Sequence, residues 1–199
     1  MAEGAHPQVE VPEEIVGPRV VIRPLRTDDA LAMWEAIQES RAHLAPWLSW
    51  VEKYHSLADV REYVLRARAV WDLRDDLPAG IFERVSGRFL GGTGLHRIDW
   101  DERAFEIGYW LRRTATGHGF ARETVRLLTQ LAFDVLGASR VEIHVDPRNA
   151  PSRRVAEAVG YEQKESPPAG GEGDEPEAVV YALTPEAYGR LAWREVDGE

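Results

Sequence analysis

The stretch that most restricts this chain is Tyr109-Trp110-Leu111-Arg112-Arg113-Thr114-Ala115-Thr116-Gly117-His118-Gly119-Phe120-Ala121. A β-like run passes straight into a Gly-x-Gly turn, and an amphipathic helix follows. From Glu123 to Leu136, Val125, Leu128, Leu131, Ala132 and Val135 form one apolar face, and Gly137 closes the helix in the manner of a C′ glycine. A strand that ends at a helix N-terminus aims several backbone N–H groups at one point. The helix dipole adds positive charge there, and glycines let an anion approach the backbone closely. Arg112, Arg113, Arg122 and Arg126 surround the turn, opposed within the stretch by Glu123. The turn is either a phosphate cradle or a plain strand–helix connection, and a short glycine motif alone does not decide between them. No Gly-Lys-Ser/Thr follows, and the third glycine and distal acid of the dinucleotide fingerprint are missing, so those two phosphate loops are excluded.

The segments on either side predict the fold. Val20 to Arg26 is a short β-like run. Helices are expected after Thr27-Asp28-Asp29 and after Ser56-Leu57-Ala58-Asp59, the second with Leu57, Val60, Val64, Ala67 and Trp71 at helical spacing. Ala79 to Val85, Arg88 to Ile98 and Ala104 to Arg112 read as an antiparallel meander turning at Ser86-Gly87 and at Asp99 to Glu102. Gly91-Gly92-Thr93-Gly94 lies inside a strand with no helix after it, which predicts a bulge or a close backbone approach. Past the glycine turn and its helix come a strand, Arg140 to Asp146, a short helix ending at Gly160, a last strand, Val179 to Leu183, and a last helix, Pro185 to Val196. The expected class is α/β (α+β): a mixed, mostly antiparallel central sheet with helices on both faces, in one domain spanning 15–199. Residues 1–14 read as a loose acidic arm, and 162–178, with two adjacent prolines, three glycines and six acids, as a solvated loop.

A second basic strand-to-helix junction is Asp146-Pro147-Arg148-Asn149-Ala150-Pro151-Ser152. Asn149 is a natural N-cap, and Ser152 falls in the first turn, free to bond outside the helix. Two strands that each finish at a basic helix N-terminus suit the two walls of a cleft for an elongated anion. Glu106-Ile107-Gly108-Tyr109-Trp110-Leu111, Gly117-x-Gly119-Phe120-Ala121, Asn149-x-x-Ser152 and Gly160-Tyr161 resemble the GNAT superfamily of acyl-CoA N-acyltransferases. Leu44 to Val51, Gly94 to Asp99 and Glu106 to Leu111 resemble its ribosomal-protein N-acetyltransferase branch, and the likeness runs from about Val20 to Leu183.

The resemblance implies acetyl-CoA as cosubstrate, bound between two splayed strands and without a metal. Its pyrophosphate would lie on backbone amides of Thr114 to Gly119, with His118 between the glycines. Its pantetheine would pair with the backbone of Trp110, Leu111 and Arg112, and Asn149 and Ser152 would line the thiol end. The family usually carries Gln or Arg three residues before the first glycine; Thr114 stands there, and Arg112 or Arg113 is expected to compensate. Ser152 is the expected donor to the sulfur, directly or through water, set against a plain role satisfying first-turn amides, and a strand amide near Trp110 or Leu111 is the expected oxyanion donor. Glu106, an acid in an apolar run, is the expected base, set against a plain pairing with Arg97 or Arg103. His96 and His144, both in strands, read first as structural, and Trp47 and Trp50 as acceptor-site wall or core anchors.

The expected activity is acetyl transfer to a protein or peptide N-terminal amine. A small-molecule amine acceptor or a weakly catalytic acyl-CoA-binding module are the alternatives. The chain lacks cysteine, which excludes disulfides, a thiolate nucleophile and Cys-ligated metal centres. The net charge of -10 argues against broad binding to nucleic acid or anionic membranes. With no basic, apolar leader and no run of ~18 apolar residues, a cytoplasmic protein is expected. A homodimer is compatible with the sequence. Residues 1–14 carry -4, 162–178 carry -5 and 186–199 carry -2, so the remaining body is about +1 and its arginines gather where a phosphorylated ligand would lie.

Overall fold

Eight strands form one sheet in the order β1-β2-β3-β4-β5-β6-β8-β7 in the computed structural model, which describes residues 9–164 and 178–194. The strands are β1 (Ile15–Val16), β2 (Val20–Arg23), β3 (Leu77–Glu83), β4 (Phe89–Asp99), β5 (Ala104–Leu111), β6 (Arg140–Val145), β7 (Glu162–Gln163) and β8 (Val179–Leu183). Every neighbouring pair is antiparallel except β5 and β6. The parallel pair needs a crossover, and α3 (Phe120–Gln130), followed by a π turn over Leu131–Val135, supplies it.

Alternation along the strands sorts the two faces. Leu95, Ile107, Val141 and Ile143 point to one side and pack with Val125 and Leu128 of α3 and with Ala156 and Val159 of α4 (Ala150–Val159). Phe82 and Trp110 point to the other, against α1 (Ala30–Leu44) and α2 (Leu57–Leu73). In α1 the buried Met33, Ala36, Ile37, Ser40 and Leu44 follow helical spacing. At the head of α2, Ser56 Oγ accepts from the Asp59 amide at 3.3 Å while Asp59 Oδ2 accepts from the Ser56 amide at 2.8 Å, a reciprocal cap. On the α1/α2 face the sheet is short of side chains: Gly80 stands opposite Gly92, and Gly94 opposite Gly108. The β4 glycines combine both expected features. The register shifts beside Gly91, and a Cβ there would fall 2.0 Å from the Trp110 carbonyl oxygen.

Two segments depart from the sequence expectation. Residues 9–14, expected as a loose arm, lie against the body: Val11 is buried, and Glu13 bonds Arg68 at 2.9 and 3.0 Å. Val9 packs on the same core as Val11, and Glu14 pairs with Arg26 at 3.4 Å; none of these contacts has a periodic signature. Glu162 and Gln163, expected to open a loop, instead add an edge strand to β8. The rest of that expected loop, 165–177, and residues 1–8 of the arm lie outside the described residues. The last expected helix is α5 (Pro185–Gly189) followed by a 3₁₀ turn, Ala192–Arg194.

One long-range contact fixes the glycine turn. Glu39 of α1 takes Arg112 Nε at 3.0 Å and Arg112 Nη2 on one oxygen, and the Thr114 amide at 3.1 Å and hydroxyl at 2.8 Å on the other. The Arg112 guanidinium and these Thr114 donors hold the Glu39 carboxyl down to about 2. A carboxylate depressed in the folded state stabilises it above the ordinary carboxylate range, and that contribution is lost as the proton returns. Glu39→Gln is therefore expected to cost about 1 kcal/mol at pH 7, a figure discounted for partial solvent exposure. The two proteins should converge in urea unfolding as pH falls from 4.5 towards about 2.

Candidate active site

β5 and β6 pair over Ala104–Arg140, Phe105–Val141 and Glu106–Glu142, and then part. The Arg112 amide donates to the Leu90 carbonyl at 2.8 Å. By alternation, Gly108 and Trp110 also turn their backbone groups to β4, and Tyr109 and Leu111 turn theirs to the side that β6 has left. The sequence placed this open edge at Trp110 to Arg112; the parity puts it at Tyr109 and Leu111.

The same strand leads into the glycine turn. Gly117 and Gly119 adopt φ of +80° and +83°, a region that costs a side-chain-bearing residue about 1–2 kcal/mol. A Cβ on Gly117 would meet nothing within 4 Å, so this glycine serves backbone geometry and leaves open space above it. The first intrahelical bond of α3 runs from the Glu123 amide to the Gly119 carbonyl at 3.1 Å, so the amides of Phe120, Ala121 and Arg122 have no carbonyl within the helix. The turn is braced from β2. Arg19 Nη1 donates to the His118 carbonyl at 2.8 Å, and Glu123 accepts from the Arg19 and Val20 amides at 2.7 and 3.0 Å. Arg113, Gly117 and His118 are exposed. Arg112 and Thr114, expected to face an anion, are instead turned to Glu39. Glu39 lies 73 residues from Arg112, so no local pattern could reveal it.

Across the gap stands the N-terminus of α4. Asn149 caps it, its Oδ1 accepting from the Ser152 amide at 3.2 Å. Ser152 Oγ lies 2.9 Å from the Tyr109 hydroxyl, so a hydrogen-bonded pair of hydroxyls joins the two walls of the splay. Burial pushes the Tyr109 phenol up to about 12, the bond to Ser152 offsetting part of the rise. At neutral pH Tyr109 is a proton donor. Its place in the Glu106 to Leu111 run is the one sequence signal for this phenol, whose partner lies 43 residues away.

On the α1/α2 face, beside the splay, lies a cavity of about 410 Å³ floored by Gly92 and Gly108. Trp50, Tyr54, Tyr63 and Trp110 contribute its aromatic walls, Met33 and Leu25 lie among its apolar ones, and among the described residues no Asp, Glu, Lys or Arg lines it. Trp50 lines the cavity and packs on Trp110 at 5.6 Å. His96 lines the cavity, and its Nδ1 stands 3.3 Å from Asp76 Oδ2. Glu106 does not line it. Its Oε2 lies 3.2 Å from Arg97 Nη1 and 3.8 Å from His144 Nδ1, at the foot of the splay. Among the described residues no group of three or more His, Asp or Glu is arranged to hold a metal ion. No described helix is long and apolar enough to cross a membrane.

Residues 19–162 match the Acetyltransferase (GNAT) domain family. YdaF of Bacillus subtilis (strain 168), named for ribosomal N-acetyl transfer, is 32% identical over 148 residues, covering 73% of this chain and 79% of that protein. The structure of Mycobacterium smegmatis RimJ in complex with CoA-disulfide superposes with a TM-score of 0.79 at 26% identity, covering 92% of each chain. A Vibrio cholerae structure named for ribosomal-protein-serine acetyl transfer has the same fold, with a TM-score of 0.74 at 24% identity over 86% of this chain and 97% of that one. With its family match, its splayed parallel strands and its glycine turn in the same chain order, this protein belongs to the GNAT acetyltransferase family.

Proposed function

We propose that this protein transfers the acetyl group of acetyl-CoA to the N-terminal amine of a protein or peptide. The observation that carries the reading is the parting of β5 from β6 on the very strand that runs into the Gly117–Gly119 turn. An extended amide-bearing arm needs an unpaired strand edge, and a pyrophosphate needs convergent N–H groups; β5 offers both in series. The residues fit acetyl-CoA. Tyr109 and Leu111 turn backbone groups to the arm, flanked by Trp110 and Arg112. The amides from Gly117 through the first turn of α3, with Arg113 and His118 beside them, suit the pyrophosphate, and Glu39 holds Thr114 and Arg112 in place behind it. Asn149 and Ser152 stand at the sulfur end.

Acetyl-CoA supplies an activated thioester. The Leu111 amide is the donor suited to charge building on the acetyl oxygen, since it faces the splay and is fixed by the strand. Ser152, bonded to the un-ionised Tyr109, supplies a hydroxyl proton towards the leaving sulfur. Glu106 contributes negative charge at the foot of the splay, where an ammonium would approach. Holding the amine in the cavity beside the thioester supplies much of the rate through proximity. The aromatic lining, uncharged among the described residues, suits one amine on an otherwise neutral segment better than a polycation, whose further charges would lose water there without a carboxylate partner among those residues. The names of YdaF and the Vibrio cholerae protein support the same acceptor class, and a cytoplasmic site of action fits it.

Gly117→Glu places a charged side chain in the open space above the turn and is expected to weaken acetyl-CoA binding by roughly 100-fold or more in calorimetry, with the far-ultraviolet spectrum retained. Unchanged affinity would refute the site. Ser152→Ala is expected to lower kcat by about 100-fold while the acetyl-CoA Kd stays within about twofold. Parallel losses in kcat and Kd would make Ser152 only a helix-cap residue.

A further inference from the structure

We propose that His96, held by Asp76, takes the proton from the acceptor amine. The assignment rests on the acetyl-transfer reading above and names the base for it. The His96 imidazole lies over the facing glycines of β4 and β5. A Cβ on Gly94 would stand 3.1 Å from its Cε1, and one on Gly108 would stand 2.9 Å from its Cδ2 and 3.3 Å from its Nε2. Two glycines opposite each other on neighbouring strands weaken a sheet, and here they clear the space that a flat ring occupies. Nδ1 is engaged by Asp76 Oδ2, which leaves Nε2 beside Gly108 for the cavity. Gly108 is two residues past Glu106, the last β5 residue paired with β6, so Nε2 lies at the point where the splay opens.

The cavity offers few other proton acceptors. Burial pushes the phenols of Tyr54 and Tyr109 up to about 12 and raises that of Tyr63, which makes them donors at neutral pH. Thr93 Oγ1 donates to the Gly108 carbonyl at 2.8 Å. An imidazole is the side chain whose neutral form accepts a proton in this range. The groups around it are Asp76 on Nδ1, Glu106 directly across on β5 and Tyr63 on α2. Arg97 and His144 turn to Glu106, and Glu142 accepts from His144 Nε2 at 3.1 Å. Asp76 fixes the ring and stabilises the imidazolium that forms, as a carboxylate does behind a catalytic histidine.

The step balances. The ammonium gives one proton to Nε2, which passes it to solvent. The freed nitrogen forms a bond to the acetyl carbonyl carbon as the carbon–sulfur bond breaks. The second nitrogen proton leaves through water, and the thiolate takes a proton from the Ser152–Tyr109 pair, which solvent replenishes. The products are the amide, the free thiol and one proton.

The full chain is tested with acetyl-CoA and a panel of ribosomal-protein N-terminal peptides, following thiol release and, separately, acetyl-CoA binding. A wild-type protein that neither binds nor turns over acetyl-CoA overturns the acetyl-transfer reading, and this assignment with it. In a wild type that turns over, His96→Ala is expected to lower kcat by about 100-fold and leave the acetyl-CoA Kd within about twofold. Added imidazole should restore kcat by about 10-fold, in proportion to its free-base fraction as pH is varied. Asp76→Asn should lower kcat by about 10-fold and Asp76→Glu recover most of it, because the carboxylate and not the side-chain volume is what orients the ring. If His96→Ala does not fold, His96→Gln takes its place, with the same split between kcat and Kd expected. The assignment is overturned if the folded His96 variant keeps kcat within about threefold of wild type, or if its kcat falls and imidazole fails to restore it in the alanine form.

Discussion

The parting of β5 and β6 is the constraint on which the rest of the site depends. Two strands that pair over three residues and then separate leave a row of backbone donors and acceptors without a neighbour. A buried strand edge of that kind is costly unless a ligand or water satisfies it. The fold keeps the edge open by anchoring the strands elsewhere. β5 is sewn to β4 along its length, and β6 to β8, so neither can swing across to close the gap. α3 and α4 then start at the two far ends, which places two helix N-termini on the opening and gives it its electrostatic sign.

Much of this was legible in the sequence because it is written in local periodicity. The meander, the Gly-x-Gly turn, the helix after it and the Asn149 cap each follow from spacing within about ten residues, and the strand Val179–Leu183 has the expected bounds. The illegible parts depend on distance or parity. Glu39 belongs to an ordinary helix face until the fold brings it against Arg112 and Thr114. Whether Trp110 or Leu111 turns its amide to the splay depends on the register against β4, which a one-residue shift would reverse. Arg112 reads as a phosphate ligand by proximity in sequence, and a single long-range carboxylate assigns it otherwise. His96 and Glu106 were both visible as polar residues in strands; their cross-strand pairing, and which of them meets the cavity, were not.

The charge distribution changes meaning in the same way. Four arginines around the glycine turn suggest an undivided basic patch. In the fold, Arg112 is neutralised by Glu39, Arg126 lies over the Trp193 ring at 5.2 Å, and Arg19, just before β2, comes in to hold the His118 carbonyl. Arg113 and Arg122 stay exposed, so the positive character left to an anion is shared between these two side chains and oriented amides, which carry no formal charge.

Helix α1 gives the site a mechanical property. Met33, on the wall of the cavity beside the splay, and Glu39, on the back of the glycine turn, are six residues apart on one rod, about 9 Å at helical rise. The two halves of the site thus share a rigid member. Met33 and the carboxylate that positions Thr114 are held in a fixed relation by the helix between them. The cavity wall and the back of the glycine turn are thus parts of one helix, placed relative to one another by its geometry. A helix with no residue at the glycine turn itself therefore sets the distance between the cavity and that turn.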